Sequence, residues 1–106
     1  MDKRVSEILK KMTLKEKIGL CNGADFWHSK AIERYGIPAI SMSDGPHGIR
    51  CQKNTSDMLG INMSEPATCF PTAVTGGATW DTALLKAEGR ALGEEGLSYG
   101  VDVVLG

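Results

Sequence analysis

Apolar residues at Val5, Ile8, Leu9 and Met12 fall at i, i+3, i+4 and i+7, which predicts an amphipathic helix over residues 5–12. Thr13-Leu14-Lys15-Glu16 has the form of a capping box, in which a Thr hydroxyl and a Glu carboxylate exchange hydrogen bonds with each other's backbone amides. A second short helix should therefore run to about Leu20 and end at Asn22-Gly23. Ile37 to Ser43 (IPAISMS) is apolar on both parities between Gly36 and Asp44-Gly45-Pro46, which suits a strand buried on both faces in a parallel sheet, with Pro38 near its start. From Asp44 to Pro71 there is little periodicity, and the segment reads as a long excursion over one end of the sheet.

Asp81 predicts the N-cap of a helix from Thr82 to about Ser98, with Leu84, Leu85, Ala87, Ala91 and Leu92 on its apolar side and an Arg90–Glu94 pair on its outer face. Gly89, Gly93 and Gly96 each cost that helix roughly 1 kcal/mol relative to Ala. In return they allow close approach to a sheet. Gly100 supplies the stop, and Val101-Asp102-Val103-Val104-Leu105 is a short β-branched strand. Strand, helix and parallel strand make a βαβ unit that needs neighbours on both sides to cover its edges. On physical grounds the chain reads as a truncated α/β domain.

Composition narrows the function more than the fold. The chain has 106 residues, well below the roughly 250 of a complete (β/α)₈ barrel. Its 12 basic and 13 acidic side chains leave a net charge of −1, so there is no electrostatic footprint for nucleic acid or a membrane surface. The N-terminus lacks the apolar core of a secretory signal, and no run approaches the ~18 apolar residues of a membrane span. With Met1 as the start, a cytoplasmic location is expected. Cys21, Cys51 and Cys69 are too few for a disulfide scaffold and read as reduced thiols. Together with His28 and His47 they match no zinc-ligand spacing, and no phosphate-binding glycine motif is present, so neither a metal nor a nucleotide cofactor is expected.

The densest candidate chemistry is Ser43-Asp44-Gly45-Pro46-His47-Gly48-Ile49-Arg50, at the C-terminal end of a predicted buried strand, where α/β folds place ligand sites. A carboxylate at Asp44 and a guanidinium at Arg50 converging on one pocket suit a polyol, because one accepts from hydroxyls and the other donates to them. From residue types alone, Asp44 closing an Asx-type turn and a solvated Arg50 is the simpler reading. Phe26-Trp27-His28 is an aromatic group that could stack on a sugar, although a Trp there more often anchors a loop. His47 reads as loop structure. Glu94 and Glu95 are turned about 100° apart on their helix and cannot converge as an acid/base pair.

Thr13 to Arg50, then PATCFPTAV (Pro66 to Val74), TWD (Thr79 to Asp81) and ALGEEGLSYGVDVVLG (Ala91 to Gly106), resemble the start of the family 3 glycoside hydrolases of beta-glucosidase type. The resemblance covers nearly the whole chain, with departures at Thr75-Gly76-Gly77 and Cys51. It implies an α/β fold, a partial (β/α)₈ TIM-type barrel in which residues 1–106 form an incomplete N-terminal part with about two strands and a helical lead-in. It further implies that Asp44 and Arg50 bind the sugar next to the cleaved bond, and that neither catalytic carboxylate lies in this stretch. The implied activity is retaining hydrolysis of terminal β-D-glucosyl residues of a small glycoside or oligosaccharide. Alternatives are xyloside or N-acetylglucosaminide hydrolysis, or a non-catalytic carbohydrate-binding remnant.

Overall fold

The computed structural model describes residues 2–52 and 64–106. It divides into two compact units, Met1–Ile40 and Ser41–Gly106.

In the first unit, α1 (Lys3–Lys11) starts at Asp2, whose carboxylate accepts from Arg4 N at 2.7 Å. Helix α2 (Leu14–Cys21) follows through the predicted capping box. Thr13 Oγ1 accepts from Glu16 N at 3.2 Å, and Glu16 Oε2 accepts from Thr13 N at 2.8 Å. The same carboxylate receives Nε (2.6 Å) and Nη2 (2.5 Å) of Arg34, from a 3₁₀ turn at Glu33–Tyr35 that the sequence pattern did not announce. The Arg34 guanidinium lies 4.5 Å from the centre of the Tyr35 ring, and Tyr35 donates its hydroxyl to Lys11 O at 2.8 Å. Met12 and Ile32 are the buried apolar residues of this unit.

In the second unit, β1 (Met42–Asp44) pairs in parallel with β2 (Val103–Leu105), placing Met42 beside Val103, Ser43 beside Val104 and Asp44 beside Leu105. Between them come α3 (Ala73–Ala78) and α4 (Thr82–Ser98). The α/β class holds, with two parallel strands joined through helices. Both strands are shorter than their apolar runs. The strand expected over Ile37–Ser43 begins only at Met42, because Ile37 pairs instead with Ile32 in an isolated antiparallel bridge and Ile40 N donates to Ser29 Oγ at 2.8 Å. Ladder hydrogen bonds already taken elsewhere cannot extend the sheet. Of the Asp44–Pro71 excursion, Asp44 is the last residue of β1 and residues 53–63 lie outside the described residues; the other described residues contain no helix or strand.

Helix α4 matches its predicted bounds. Asp81 Oδ1 accepts from Ala83 N (2.9 Å) and Leu84 N (3.0 Å), Arg90 Nε meets Glu94 Oε1 at 2.7 Å, and Gly100 N closes the end on Leu97 O at 3.0 Å. Of its three glycines, only Gly96 makes a close approach among the described residues. A Cβ there would stand 3.4 Å from Ile49 Cδ1 and 3.6 Å from Val104 Cγ2, whereas Gly89 and Gly93 have no described neighbour within 4 Å. The short helix α3 was not foreseen, since Ala-Val-Thr-Gly-Gly-Ala has neither period nor propensity. It packs on α4 by setting Gly76 against Leu85. Among the described residues of this unit, Ile49 and Val101 are the buried apolar side chains.

Hydrogen bonds from Arg34 and Thr13 hold the Glu16 carboxyl down from 4.5 to about 2. A depressed folded-state value means that this contribution to stability is fully present above about pH 4.5 and is lost as pH falls toward 2. An NMR titration of the Glu16 side chain is expected to show a midpoint near 2 that returns toward 4.5 in Arg34→Gln. A midpoint unmoved by that substitution would contradict the pairing.

Candidate functional site

The DGPHGIR segment leaves β1 and turns back on itself. Arg50 N donates to Asp44 O at 3.1 Å, so the residues at the two ends of the loop are bonded through their backbones. Ser43, buried to 2% exposure, places its hydroxyl 2.9 Å from both the Asp44 and the Arg50 carbonyl oxygens. A buried serine hydroxyl must find an acceptor, and this one finds two at the loop's neck.

The loop closes only because two of its residues lack side chains. Gly45 (φ 132°) and Gly48 (φ 146°) occupy backbone conformations that L-residues rarely adopt. A Cβ on Gly45 would fall on the Gly48 carbonyl oxygen, and one on Gly48 would fall on the Thr68 carbonyl oxygen. Below the loop, Ile49 is driven into the unit's interior against Gly96 of α4.

This turn brings the two predicted ligand-binding side chains together. Arg50 Nη2 lies 3.4 Å from Asp44 Oδ2, and both side chains keep a solvent-facing portion, 38% and 49% exposed respectively. An exposed pair at that distance adds little stability. It does present acceptor oxygens and guanidinium donors side by side at the C-terminal end of β1, an arrangement able to hold the hydroxyls of one polyol.

The other candidates separate. Phe26 and Trp27 make an edge-to-face contact (4.8 Å, 82°), and Asp25 Oδ1 accepts from Trp27 N at 2.8 Å and from His28 N at 2.9 Å. Those bonds, that from Trp27 foremost, together with the His28 ring, lower the Asp25 carboxyl below its usual range. The group is thus a tied loop of the first unit. His47 contributes its backbone, accepting from Phe70 N at 2.8 Å. Glu94 and Glu95 diverge as their spacing requires, Glu94 to Arg90 and Glu95 to Thr68. Cys21, Cys51 and Cys69 are free thiols, and among the described residues no cluster of three or more His, Cys, Asp or Glu could hold a metal ion. No helix among the described residues is long and apolar enough to cross a membrane. Sequence reasoning included Ser43 in the candidate segment but not its role in closing the loop's neck. It also missed the Glu95–Thr68 contact, for which a separation of 27 positions along the chain left no signal.

The structure thus sets a carboxylate–guanidinium pair at a strand end of an α/β scaffold, and comparisons with known proteins give the family. No family model matches. The chain is 51% identical over 102 residues to thermostable beta-glucosidase B of Acetivibrio thermocellus, a match that covers 96% of the chain and 14% of that relative. The structure superposes on the Kluyveromyces marxianus beta-glucosidase in complex with glucose with a TM-score of 0.83 and 38% identity, over 96% of this chain and 11% of that one. It superposes on the GH3 beta-glucosidase of Bifidobacterium adolescentis with a TM-score of 0.72 and 36% identity, over 92% of this chain and 13% of that one. The chain belongs to the family 3 glycoside hydrolases of beta-glucosidase type. It spans only about a seventh or less of the length of these relatives.

Gly48→Ala is expected to destabilise the folded protein by more than about 1 kcal/mol, because the methyl group meets backbone rather than a movable side chain. Urea unfolding checks this. A midpoint equal to that of the parent protein would mean that residues 66–70 yield without cost.

Proposed function

We propose that this chain is the N-terminal part of the barrel domain of an enzyme that hydrolyses terminal, non-reducing β-D-glucosyl residues with retention, and that it supplies part of a glycone-binding subsite. The observation that carries this reading is the convergence of Asp44 and Arg50 at the end of β1, in a chain so similar to a beta-glucosidase whose structure contains glucose. Asp44 would accept hydrogen bonds from sugar hydroxyls, and Arg50, beside it, would donate to the same ring.

Retaining hydrolysis needs two carboxyl groups about 5–5.5 Å apart across the scissile bond, one as nucleophile and one as acid/base. In this reading neither is among these 106 residues. The adjacent Glu94 and Glu95 are committed to other partners in diverging directions. By itself the chain would therefore not cleave a glycoside. The apolar side chains that α4 and β2 leave exposed, among them Leu84, Leu97 and Val103, fit a scaffold completed by further strands and helices.

Hydrogen bonds to a charged group contribute about 1.5–3 kcal/mol each. Losing two at Asp44 corresponds to a loss of about 10²- to 10⁴-fold in kcat/KM. In the full-length enzyme, Asp44→Ala is expected to show that loss on an aryl β-glucoside while melting with the parent. A variant that melts early but keeps its specific activity would return Asp44 to a turn-closing role. The same assay with aryl xyloside and N-acetylglucosaminide in place of the glucoside tests the sugar specificity.

A further inference from the structure

The side chains of Asp44 and Arg50 are not held by their own loop alone. Residues 66–70 run alongside it. Phe70 N donates to His47 O at 2.8 Å, and the Thr68 carbonyl occupies the space where Gly48 lacks a side chain. What holds residues 66–70 is α4. Glu95 Oε1 accepts from Thr68 N at 2.9 Å and from Thr68 Oγ1 at 3.2 Å, and one turn further on Tyr99 donates its hydroxyl to Pro66 O. The other oxygen of Glu95, Oε2, is buried and takes no hydrogen bond among the described residues. Thr68 is therefore the contact that fixes this carboxylate, and withdrawing the carboxylate leaves the Thr68 amide without its acceptor.

We infer that Glu95 is a positioning residue for the sugar subsite, acting through Thr68 and residues 66–70 on the backbone of the Gly45–Gly48 turn and so on the placement of Asp44 and Arg50. This rests on the reading of Asp44 and Arg50 as sugar ligands. A side chain on the far helix then sets glycone affinity without touching the sugar. A displacement of about 1 Å at a binding group can cost up to about 100-fold, and the turn has no slack to absorb one. Gly48 is already in contact with the Thr68 carbonyl, and Gly45 with that of Gly48.

The test uses the full-length enzyme, an aryl β-glucoside as substrate and glucose as competing ligand. Glu95→Ala is expected to raise the glucose inhibition constant and KM by about 10-fold or more, whereas Glu95→Gln, which keeps a carbonyl oxygen for Thr68, stays within about twofold of the parent. A merely structural role would lower the melting temperature of Glu95→Ala and leave the glucose constant of the folded enzyme unchanged, and that result overturns the proposal. If Glu95→Ala does not fold, Glu95→Asp decides by the same readout, since it keeps the charge but withdraws it from Thr68 by one methylene. Asp44→Asn is measured in parallel. If it binds glucose as the parent does, the sugar-site reading fails and Glu95 falls with it. If Asp44→Asn is impaired while the Glu95 variants are not, only the role of Glu95 is refuted.

Discussion

The pairing of Asp44 with Arg50 depends on how tightly the backbone folds back between them. Six residues apart on an extended chain, these side chains would start about 20 Å from each other. In the folded chain they stand 3.4 Å apart, because Gly45 and Gly48 let carbonyl groups pass where a Cβ would otherwise sit. The buried Ser43 hydroxyl then closes the neck of the loop on its two carbonyl oxygens. Rigid backbone in place of side-chain packing is a suitable support for a polar site, since it adds no apolar wall between the ligand and the charged groups that would bind it.

The first unit is organised by a different interaction. One carboxylate, Glu16, closes the capping box of α2 and receives the guanidinium of Arg34 from 18 residues away. A local helix signal is thereby turned into a tertiary tie between α2 and the 3₁₀ turn. The arrangement lies near the surface, so added salt weakens the ion pair while the backbone bonds of the cap remain.

Helix α4 connects the scaffold to the site. Its Gly96 accommodates Ile49, its Glu95 and Tyr99 hold residues 66–68, and its N-terminus is capped by Asp81. Among the described residues Leu84, Leu85 and Leu97 of this helix keep exposed side chains, and Trp80, just before its N-cap, stands almost wholly in solvent with a positive φ of 53°. The helix thus serves the loop while leaving apolar side chains exposed along its length.

By itself the sequence determined whatever depends on neighbours within a few residues. The capping box at Thr13, the bounds of α4 from Asp81 to Gly100, the Arg90–Glu94 pair and the divergence of Glu94 from Glu95 follow from helix geometry and backbone hydrogen bonding, which act over one or two turns. The Asp44–Arg50 constellation was legible too, as residue types at a strand end, helped by motifs shared with a family. Only the tertiary structure decided where the strands begin, because Ile37 and Ile40 gave their hydrogen bonds to Ile32 and Ser29 and not to a sheet. It also decided which of three helix glycines meets a neighbour, that Ala73–Ala78 is helical, and that Glu95 reaches Thr68. Those outcomes depend on which distant groups compete for the same amides and the same space, and no local pattern records that competition.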